Sequence, residues 1–344
     1  MSQHRRASLG PDFGYQPGEQ PPPGDGWLKL NTNEAPLPPS PRVTDAIAAA
    51  AGGLRSYPDP LGEPLRSALA RHHGVRPDQV FVANGADEVI DCCFRAFCDP
   101  GDMAAWASPT YSYFPVRAAL YGVRWSALPL EADLTLPQSL GTVPARLRFV
   151  VNPNSPTGVW MQPDTLEELL DGAEGVVSID EAYCDFAPAS CVPLIERHPN
   201  WLVLRTFSKA HALAGLRVGY AIGASALIAD LYAVKHSYPV DHCAIAGALA
   251  ALEDGRHHQA IVDLVIRERG RLTERLRQAG WEVPASHANF LFARPPGGNA
   301  GAVQARLRDA RILVRRFEGD HPDRLRISVG AEAENDRLLG SLGS

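Results

Sequence analysis

The chain contains 344 residues, of which 45% are hydrophobic and 21% are charged, and its formal net charge is −6 at pH 7. This composition is typical of a globular protein with one large domain or two interlocked domains. The negative charge disfavours nucleic acid or an anionic membrane as the main partner, and no apolar stretch reaches the roughly 20 residues of a membrane span. The six cysteines lack paired CxxC spacing, which disfavours a metal site and is typical of free thiols in a reducing cytoplasm.

The N-terminal third of the sequence predicts an arm followed by alternating helices and strands. Residues 1–26 are rich in proline and glycine, which is typical of an extended N-terminal arm. Hydrophobic periodicity then predicts a helix over 64–74, a short strand over 79–85 and a helix over 86–98.

Three near-continuous apolar runs predict the central strands of a sheet. They cover residues 146–152, 175–183 and 201–208, and each ends in polar residues. Such runs are typical of parallel strands that are buried on both faces and present ligand groups at their carboxyl ends. After about residue 240 the pattern predicts helices and then three short strands, within 287–295, 310–317 and 323–330.

This order of elements predicts an α/β fold with two domains. The larger domain has a mostly parallel central sheet flanked by helices, and the smaller one is α+β. We expect the arm at 1–26, the large domain at 48–242, and the small domain at 27–47 and 243–344.

Lys209 is one of only three lysines in a chain that otherwise uses arginine. A primary amine condenses with an aldehyde to form a Schiff base, whereas a guanidinium stays protonated and cannot. Lys209 is therefore a candidate for covalent chemistry, although an incidental surface lysine is the more common case for a residue considered alone.

Two segments could bind a phosphate: one contains Lys209 itself, and the other lies far upstream of it in the sequence. Arg217 is a fixed cation, and the hydroxyl groups of Thr206 and Ser208 are short donors. Upstream, the NGADE motif joins a predicted strand to the start of a predicted helix. Free backbone N–H groups at such a helix start favour an anion, here at Gly85, Ala86 and Asp87.

Asp180 ends a predicted buried strand and precedes Tyr183 by three residues. A carboxylate in that place is costly without a positive partner, and a protonated ring nitrogen would supply one. A helix N-cap is an equally good explanation for Asp180 alone. Together with the lysine, the phosphate donors and a phenol, however, the carboxylate specifies pyridoxal 5′-phosphate.

Five motifs resemble those of class II aminotransferases of the fold-type I pyridoxal-phosphate superfamily: TFSKAHALAGLRVGY, IDEAYCDF, NPNSPTG, NGADE and SPTYSYFPVRAALYG. Two further stretches, GYQPGEQPPPGDGWLKLNTNEAPLPPSP and RSYPDPLGEPLRSALA, resemble the histidinol-phosphate aminotransferases. The similarity runs in order from Tyr15 to Gly330. It implies a fold-type I structure, pyridoxal 5′-phosphate as cofactor, and a cytoplasmic homodimer with shared active sites.

The resemblance also implies roles for the cofactor-binding residues. Lys209 would form the Schiff base and move the proton, Asp180 would pair with the pyridine nitrogen, and Tyr183 would bond the ring oxygen O3′. Tyr111 would stack on the ring. The phosphate would be bound by Gly85, Ala86, Asp87, Thr206, Ser208 and Arg217, and by Tyr57 from the partner subunit.

For the substrate anion, the resemblance implies a pocket formed by Tyr15, Asn33, Arg315 and Arg326. One position departs from the family pattern: Ser155 stands where an asparagine that bonds O3′ is common. Asn154 is then a candidate for that contact, with Asn152 as the alternative.

The implied reaction is transfer of the amino group of L-histidinol phosphate to 2-oxoglutarate, which gives imidazole-acetol phosphate and L-glutamate in histidine biosynthesis. An aminotransferase for aromatic or other amino acids is an alternative, because a pocket that accepts imidazole can often accept phenyl. Decarboxylation of threonine phosphate on the same scaffold is another. A non-catalytic ligand sensor is a more distant alternative, which the intact Lys209 disfavours.

Overall fold

The structure is a computed structural model that describes residues 4–6, 9, 10, 13–22 and 24–343. Among these residues the strands are β1 (Leu28–Leu30), β2 (Val80–Ala83), β3 (Met103–Ser108), β4 (Arg124–Pro129), β5 (Leu147–Val151), β6 (Val176–Asp180), β7 (Trp201–Thr206), β8 (Gly219–Gly223), β9 (Phe290–Ala293), β10 (Ile312–Arg316) and β11 (Leu325–Ser328). The helices are α1 (Pro41–Ala50), α2 (Glu63–His73), α3 (Gly85–Phe97), α4 (Tyr113–Tyr121), α5 (Ser139–Thr142), α6 (Pro163–Leu170), α7 (Ser225–Val234), α8 (His242–Glu253), α9 (Gly255–Gln278), α10 (Ala300–Asp309) and α11 (Glu332–Leu342).

The larger sheet has the strand order β2-β8-β7-β6-β5-β3-β4. Its pairings are parallel except the two made by β8, which runs antiparallel to both β2 and β7. Because β8 alone is reversed within this sheet, the carboxyl ends of the other six strands meet at one edge. Ligands of open α/β sheets bind at such an edge.

Helices cover both faces of the larger sheet, as the continuous apolar runs predict. Along β7, Trp201 and Val203 face one hydrophobic cluster, while Leu202 and Leu204 face the other. This alternation follows from the two-residue period of a strand. The first cluster also contains apolar residues of α2, α6 and α8, and the second contains those of α3, α4 and α7.

The smaller sheet has the order β1-β10-β11-β9, with β1 parallel to β10 and the other pairings antiparallel. Its hydrophobic cluster combines Leu28 and Leu30 of β1 with apolar residues of α9, α10 and α11. The first strand of the fold is therefore held in place by elements at the C-terminal end.

The structure confirms the α/β fold class and each helix and strand predicted from the sequence, with shifts of a few residues at the ends. Strands β1, β3, β4 and β8 were not predicted, and of these β3 and β8 lie inside the larger sheet. Their sequences, MAAWAS and GYAIG, are rich in alanine and glycine, which are depleted in strands. They form strands here because both are buried between neighbouring strands of the larger sheet.

The packing differs from the predicted domain boundaries at two helices. Val43 of α1 and Ala244 of α8 belong to a hydrophobic cluster of the larger sheet, although the boundaries place both residues in the small domain. The reason is that α1 and α8 pack against each other and direct their apolar faces towards the larger sheet.

Candidate active site

A cavity opens at the edge where the parallel strands of the larger sheet end. In the paired strands β5, β6 and β7, Val151 lies opposite Asp180, which in turn lies opposite Leu204. The structure brings most of the predicted site residues to the wall of this cavity: Tyr15, Asn33, Ala86, Asp87, Tyr111, Asp180, Tyr183, Thr206, Ser208, Lys209, Arg217, Arg315 and Arg326.

One end of the cavity is formed by the start of α3 and the loop after β7. The hydroxyl of Thr206 donates to the Oγ of Ser208 at 3.0 Å, and Nη1 of Arg217 lies 3.4 Å from the same oxygen. Nη2 of Arg217 also donates to Asp87 at 3.0 Å. The first N–H groups of a helix lack partners within the helix, so the start of α3 adds further donors at this end of the cavity, beginning near Ala86.

Two glycines allow this close approach. A Cβ on Gly219 would lie 2.4 Å from the backbone nitrogen of Ala86, and one on Gly85 would lie 2.7 Å from Nη2 of Arg217. Gly85 also has a φ of +79°, which side chains rarely permit. Gly85 does not itself line the cavity; it shapes the start of α3.

Asp180 is 5% exposed and is the last residue of β6. Among the described residues its side-chain carboxylate accepts one hydrogen bond, from the backbone N–H of Ala182 at 2.9 Å. Burial raises the pKa of Asp180 from its ordinary value of 3.8 to about 6, and the nearby Lys209 acts against this shift. A cation in the cavity would therefore stabilise the ionised carboxylate.

Lys209 lies beside Tyr183 in the same cavity. Its Nζ is 5.6 Å from the centre of the Tyr183 ring and 3.4 Å from the carbonyl oxygen of Thr32. The hydroxyl of Tyr183 accepts a hydrogen bond from Nδ2 of Asn33 at 3.0 Å. Residues 32 and 33 therefore contribute to the catalytic end of the cavity as well as to the substrate pocket that the sequence predicts.

Tyr111 forms part of another wall. Its hydroxyl donates to Asp87 at 2.8 Å, and burial raises its pKa. Tyr15, from the arm, packs edge-on against Tyr111 with ring centres 5.9 Å apart. The arm thus supplies an aromatic side chain to the cavity.

Two arginines line the cavity without an acidic partner among the described residues. Arg326 donates to the Oγ of Ser155 at 3.1 Å and to the carbonyl oxygen of Asn31 at 3.0 Å, while its Nε is buried without a hydrogen bond. Burial lowers the pKa of Arg326. Arg315 donates to carbonyl oxygens of the arm, at Gln16 and Pro17.

Asn154 differs from its prediction. It does not line the cavity, and its Nδ2 donates to the carbonyl oxygen of Pro109 and to the hydroxyl of Thr157. Its Oδ1 accepts from Thr110. Asn152 is also held elsewhere, because its amide pairs with the backbone of residue 161. The amide groups of both residues are thus occupied outside the cavity.

Tyr57 does not line the cavity of its own chain. It is 79% exposed and stacks on Tyr238, with ring centres 4.5 Å apart. An exposed aromatic pair of this kind is available for contact with a second subunit.

A buried ion-pair network lies behind the cavity. Arg205 donates to Glu181 at 3.1 Å and to Asp185 at 2.7 Å, and Glu181 directly follows Asp180 in the sequence. Glu181 also accepts from the backbone N–H of Cys191. This network fixes the segment between Asp180 and Tyr183, because both of its carboxylates are fully paired.

Comparison with known proteins identifies the family. The protein-family model for aminotransferase class I and II matches residues 25–342 of this chain. The chain belongs to the class I and II aminotransferases. The predicted enzyme class is thereby confirmed.

Curated aminotransferases similar to this chain include histidinol-phosphate aminotransferase 2 of Thiobacillus denitrificans, which is 45% identical over 99% of this chain and 97% of its own. Histidinol-phosphate aminotransferase 1 of Bradyrhizobium diazoefficiens is 46% identical over 94% of both chains. A crystal structure of histidinol-phosphate aminotransferase from Sinorhizobium meliloti in complex with pyridoxal 5′-phosphate matches with a TM-score of 0.86 and 27% identity, over 92% of this chain and 89% of that one. These matches confirm the predicted fold type and cofactor.

The residues of this aminotransferase fit the cofactor at two separate points. The space left by Gly219 and Gly85 exposes the start of α3 beside Arg217, which suits a phosphate. The buried Asp180 lacks a protein cation bonded to it, which suits a protonated ring nitrogen. Among the described residues there is no cluster of three or more His, Cys, Asp or Glu side chains able to hold a metal, and no helix is both long and apolar enough to cross a membrane.

Among the cavity residues that the sequence did not indicate are Asn31, Thr32 and Phe317. Asn31 and Thr32 contribute carbonyl groups, and the ring centre of Phe317 lies 5.5 Å from the Arg326 guanidinium carbon. Asn31 and Thr32 lie in the longer of the two stretches that resemble histidinol-phosphate aminotransferases. Backbone carbonyl contacts leave no signal in the residue type, so the sequence offered no means to find them.

Proposed function

We propose that this chain transfers the amino group of L-histidinol phosphate to 2-oxoglutarate, giving imidazole-acetol phosphate and L-glutamate, with pyridoxal 5′-phosphate as cofactor. The similarity to histidinol-phosphate aminotransferases over almost the whole chain supports the donor. The observation that carries the proposal is that Arg315 and Arg326, which have no acidic partner in the described part of the chain, line the cavity that also contains Lys209 and Asp180.

The cofactor-binding residues each have one task in this proposal. Backbone N–H groups at the start of α3 hold the phosphate together with the side chains of Ser208, Thr206 and Arg217. Asp180 keeps the ring nitrogen protonated. Tyr111 packs against the ring, and Tyr183 donates to the ring oxygen.

When bound, pyridoxal 5′-phosphate supplies an aldehyde that condenses with amines and a protonated ring that withdraws electrons from the substrate carbon. The amine of Lys209 would hold the cofactor between turnovers and, when free, would move a proton to or from the substrate carbon. The neighbouring carbonyl of Thr32 accepts from the Lys209 Nζ and so helps to fix where that nitrogen lies.

Arg326 and Arg315 suit both substrates of the reaction. A guanidinium can form paired hydrogen bonds with either a phosphate or a carboxylate, so one pocket can accept the phosphate monoester and then the dicarboxylate. A buried guanidinium without a counter-ion is costly, and an incoming anion removes that cost. Substrate binding is therefore coupled to neutralisation of Arg326.

An aminotransferase for aromatic amino acids is the second candidate. The cavity contains the aromatic rings of Tyr15, Tyr111 and Phe317, which could pack against phenyl as well as imidazole. A phenylalanine side chain, however, would offer no anion to a second arginine.

The test is a panel of amino donors with 2-oxoglutarate: L-histidinol phosphate, L-phenylalanine, L-tyrosine and L-threonine phosphate. We expect the highest kcat/KM with histidinol phosphate, and a loss of about 100-fold in Arg326→Gln, because a charge-assisted pair contributes on the order of 3 kcal/mol. Arg316→Gln is the matched control, since Arg316 follows Arg315 in β10 but does not line this cavity. Comparable kcat/KM values with phenylalanine would assign a different donor.

We further propose that the enzyme acts as a cytoplasmic homodimer in which Tyr57 of each subunit reaches the cofactor phosphate of the other. The exposure of Tyr57 and its position outside the cavity of its own chain support this arrangement. Sedimentation of the holoenzyme would test it, and a catalytically active monomer would contradict it.

A further inference from the structure

Asn33 sits in a closed set of hydrogen bonds that fixes the direction of its side-chain amide. Its backbone N–H donates to the Oγ of Ser328 at 2.9 Å, and the hydroxyl of Ser328 donates to Oδ1 of Asn33 at 3.0 Å. Its Nδ2 then donates to the hydroxyl of Tyr183 at 3.0 Å. Asn33 is 1% exposed and Ser328 is 3% exposed, so water does not compete for these groups.

The reverse orientation of the Asn33 amide would leave a buried donor without an acceptor. If Nδ2 faced Ser328, the Ser328 oxygen would accept from both the backbone and the side chain of Asn33. The hydrogen of the Ser328 hydroxyl would then lack an acceptor, because Asn33 Oδ1 is the one it has among the described residues. Buried hydroxyl groups are rarely left in that state.

This orientation determines what the hydroxyl of Tyr183 can do. An oxygen that accepts from Asn33 keeps its own hydrogen available, and no described residue accepts that hydrogen. The ring of Tyr183 is held edge-on against Phe290, with ring centres 5.0 Å apart, and the side chain lines the cavity. The free hydrogen is therefore available to an acceptor in the cavity.

We propose that Asn33 is a positioning residue, fixed by Ser328, that makes Tyr183 a hydrogen-bond donor to the cofactor's ring oxygen. Ser328 belongs to β11 of the smaller sheet, whereas Tyr183 follows β6 of the larger one. The orientation of the Tyr183 hydroxyl thus depends on the smaller sheet. This role is additional to the substrate contact that the sequence suggests for Asn33.

The amide of Asn154 cannot replace this donor, because its Nδ2 donates to the carbonyl oxygen of Pro109 and to the hydroxyl of Thr157. The Oγ of Ser155 accepts a hydrogen bond from Arg326, so the Ser155 hydroxyl also keeps a hydrogen available in the cavity. The variants below change the surroundings of Tyr183 and leave Ser155 as it is. The charged groups that line the same cavity are Asp87, Asp180, Lys209, Arg217, Arg315 and Arg326, and the variants below leave all of them in place. Asn33→Asp adds one carboxylate, whose charge also raises the midpoint, whereas Ser328→Ala adds no charge and separates the two effects.

The test is the pH at which the visible absorption band of the holoenzyme changes. A hydrogen bond donated to the ring oxygen favours the unprotonated form of the bound cofactor, so its loss should raise this midpoint. In Asn33→Asp the carboxylate cannot donate. It instead accepts the hydrogen of the Tyr183 hydroxyl, so this hydrogen no longer points towards the ring oxygen. We expect the midpoint to rise by about one pH unit, with kcat lowered.

Ser328→Ala and Ser328→Thr test whether Ser328 fixes the Asn33 amide. They also replace Asn33→Asp as the test if that variant does not fold. The alanine variant should raise the midpoint, and the threonine variant, which keeps a hydroxyl, should restore it. Asn289→Ala is the matched structural control. It removes the donor to the backbone oxygen of Asn33 but not the amide contact, so the midpoint should stay unchanged even if thermal stability falls.

Two results would overturn the inference. One is an unchanged midpoint in both Asn33→Asp and Ser328→Ala, and the other is a shift of equal size in Asn289→Ala. Of the proposed function, the inference requires only that pyridoxal 5′-phosphate is the cofactor; it does not depend on the amino donor. A holoenzyme with a visible band but no activity on histidinol phosphate would reject the proposed donor and leave the midpoint test intact.

Discussion

Replacing Asp180 by asparagine should stabilise the protein from which the cofactor has been removed, and should weaken cofactor binding. Asp180 is 5% exposed, and burial raises its pKa from 3.8 to about 6. A group whose pKa is higher in the folded state contributes stability below pH 3.8 and loses it as the pH rises through about 6. Above that pH the folded apoprotein therefore carries a costly buried charge.

The size of the effect follows from the shift of the pKa. A difference of about two pKa units corresponds to about 3 kcal/mol at pH 8, and to roughly half of that at pH 5, where Asp180 is already largely protonated in the folded state. Asparagine keeps an oxygen that can accept from the N–H of Ala182, so the substitution removes the charge but not this hydrogen bond.

Urea unfolding of the apoprotein at pH 8 and pH 5 measures the free energy of unfolding for both variants. We expect Asp180→Asn to be more stable by about 3 kcal/mol at pH 8 and by about half as much at pH 5. Asp171→Asn, at an exposed position, is the matched control and should change little. An Asp180→Asn apoprotein that is equal to or less stable than the wild type at pH 8 would refute the reasoning.

The remaining predictions concern the substrate end, the supporting network and the subunit contact. Ser155→Ala should raise KM for both substrates by about ten-fold with kcat retained, because Arg326 loses one of its two anchors; an equal fall in kcat would contradict this in steady-state assays. Arg205→Met should lower the free energy of unfolding by about 3–5 kcal/mol in urea titrations, because it removes the guanidinium that pairs with two buried carboxylates. Tyr57→Phe should raise the dissociation constant of the cofactor by about ten-fold, as measured by fluorescence titration of the apoprotein, without changing its sedimentation.

The central part of the site could be predicted because it depends on strand ends. The apolar runs that end at Asp180 and Thr206 predict neighbouring parallel strands, and such strands place the residues at their ends side by side. Lys209 and Arg217 lie in the short segment between β7 and β8, close to the end of β7. Local sequence therefore contained the information that brings these residues together.

Other parts of the site depend on contacts that the local sequence does not contain. The role inferred for Asn33 depends on Ser328, which is 295 positions away in the sequence. Asn154 was the candidate for the contact with the ring oxygen, and the path of the loop turns its amide towards Pro109 while the adjacent Ser155 faces the cavity. The role proposed for Tyr57 requires a second subunit, and a single chain does not show such a contact.

The central claim is that the ε-amine of Lys209 carries the cofactor. The most direct test is borohydride reduction of the yellow holoenzyme, followed by proteolysis and mass spectrometry of the lysine-containing peptides. The chain has only Lys29, Lys209 and Lys235 as possible sites, so the result is unambiguous. We predict that the cofactor mass is found on the peptide that contains Lys209; its presence on either of the other two lysines, or on none, would contradict the account.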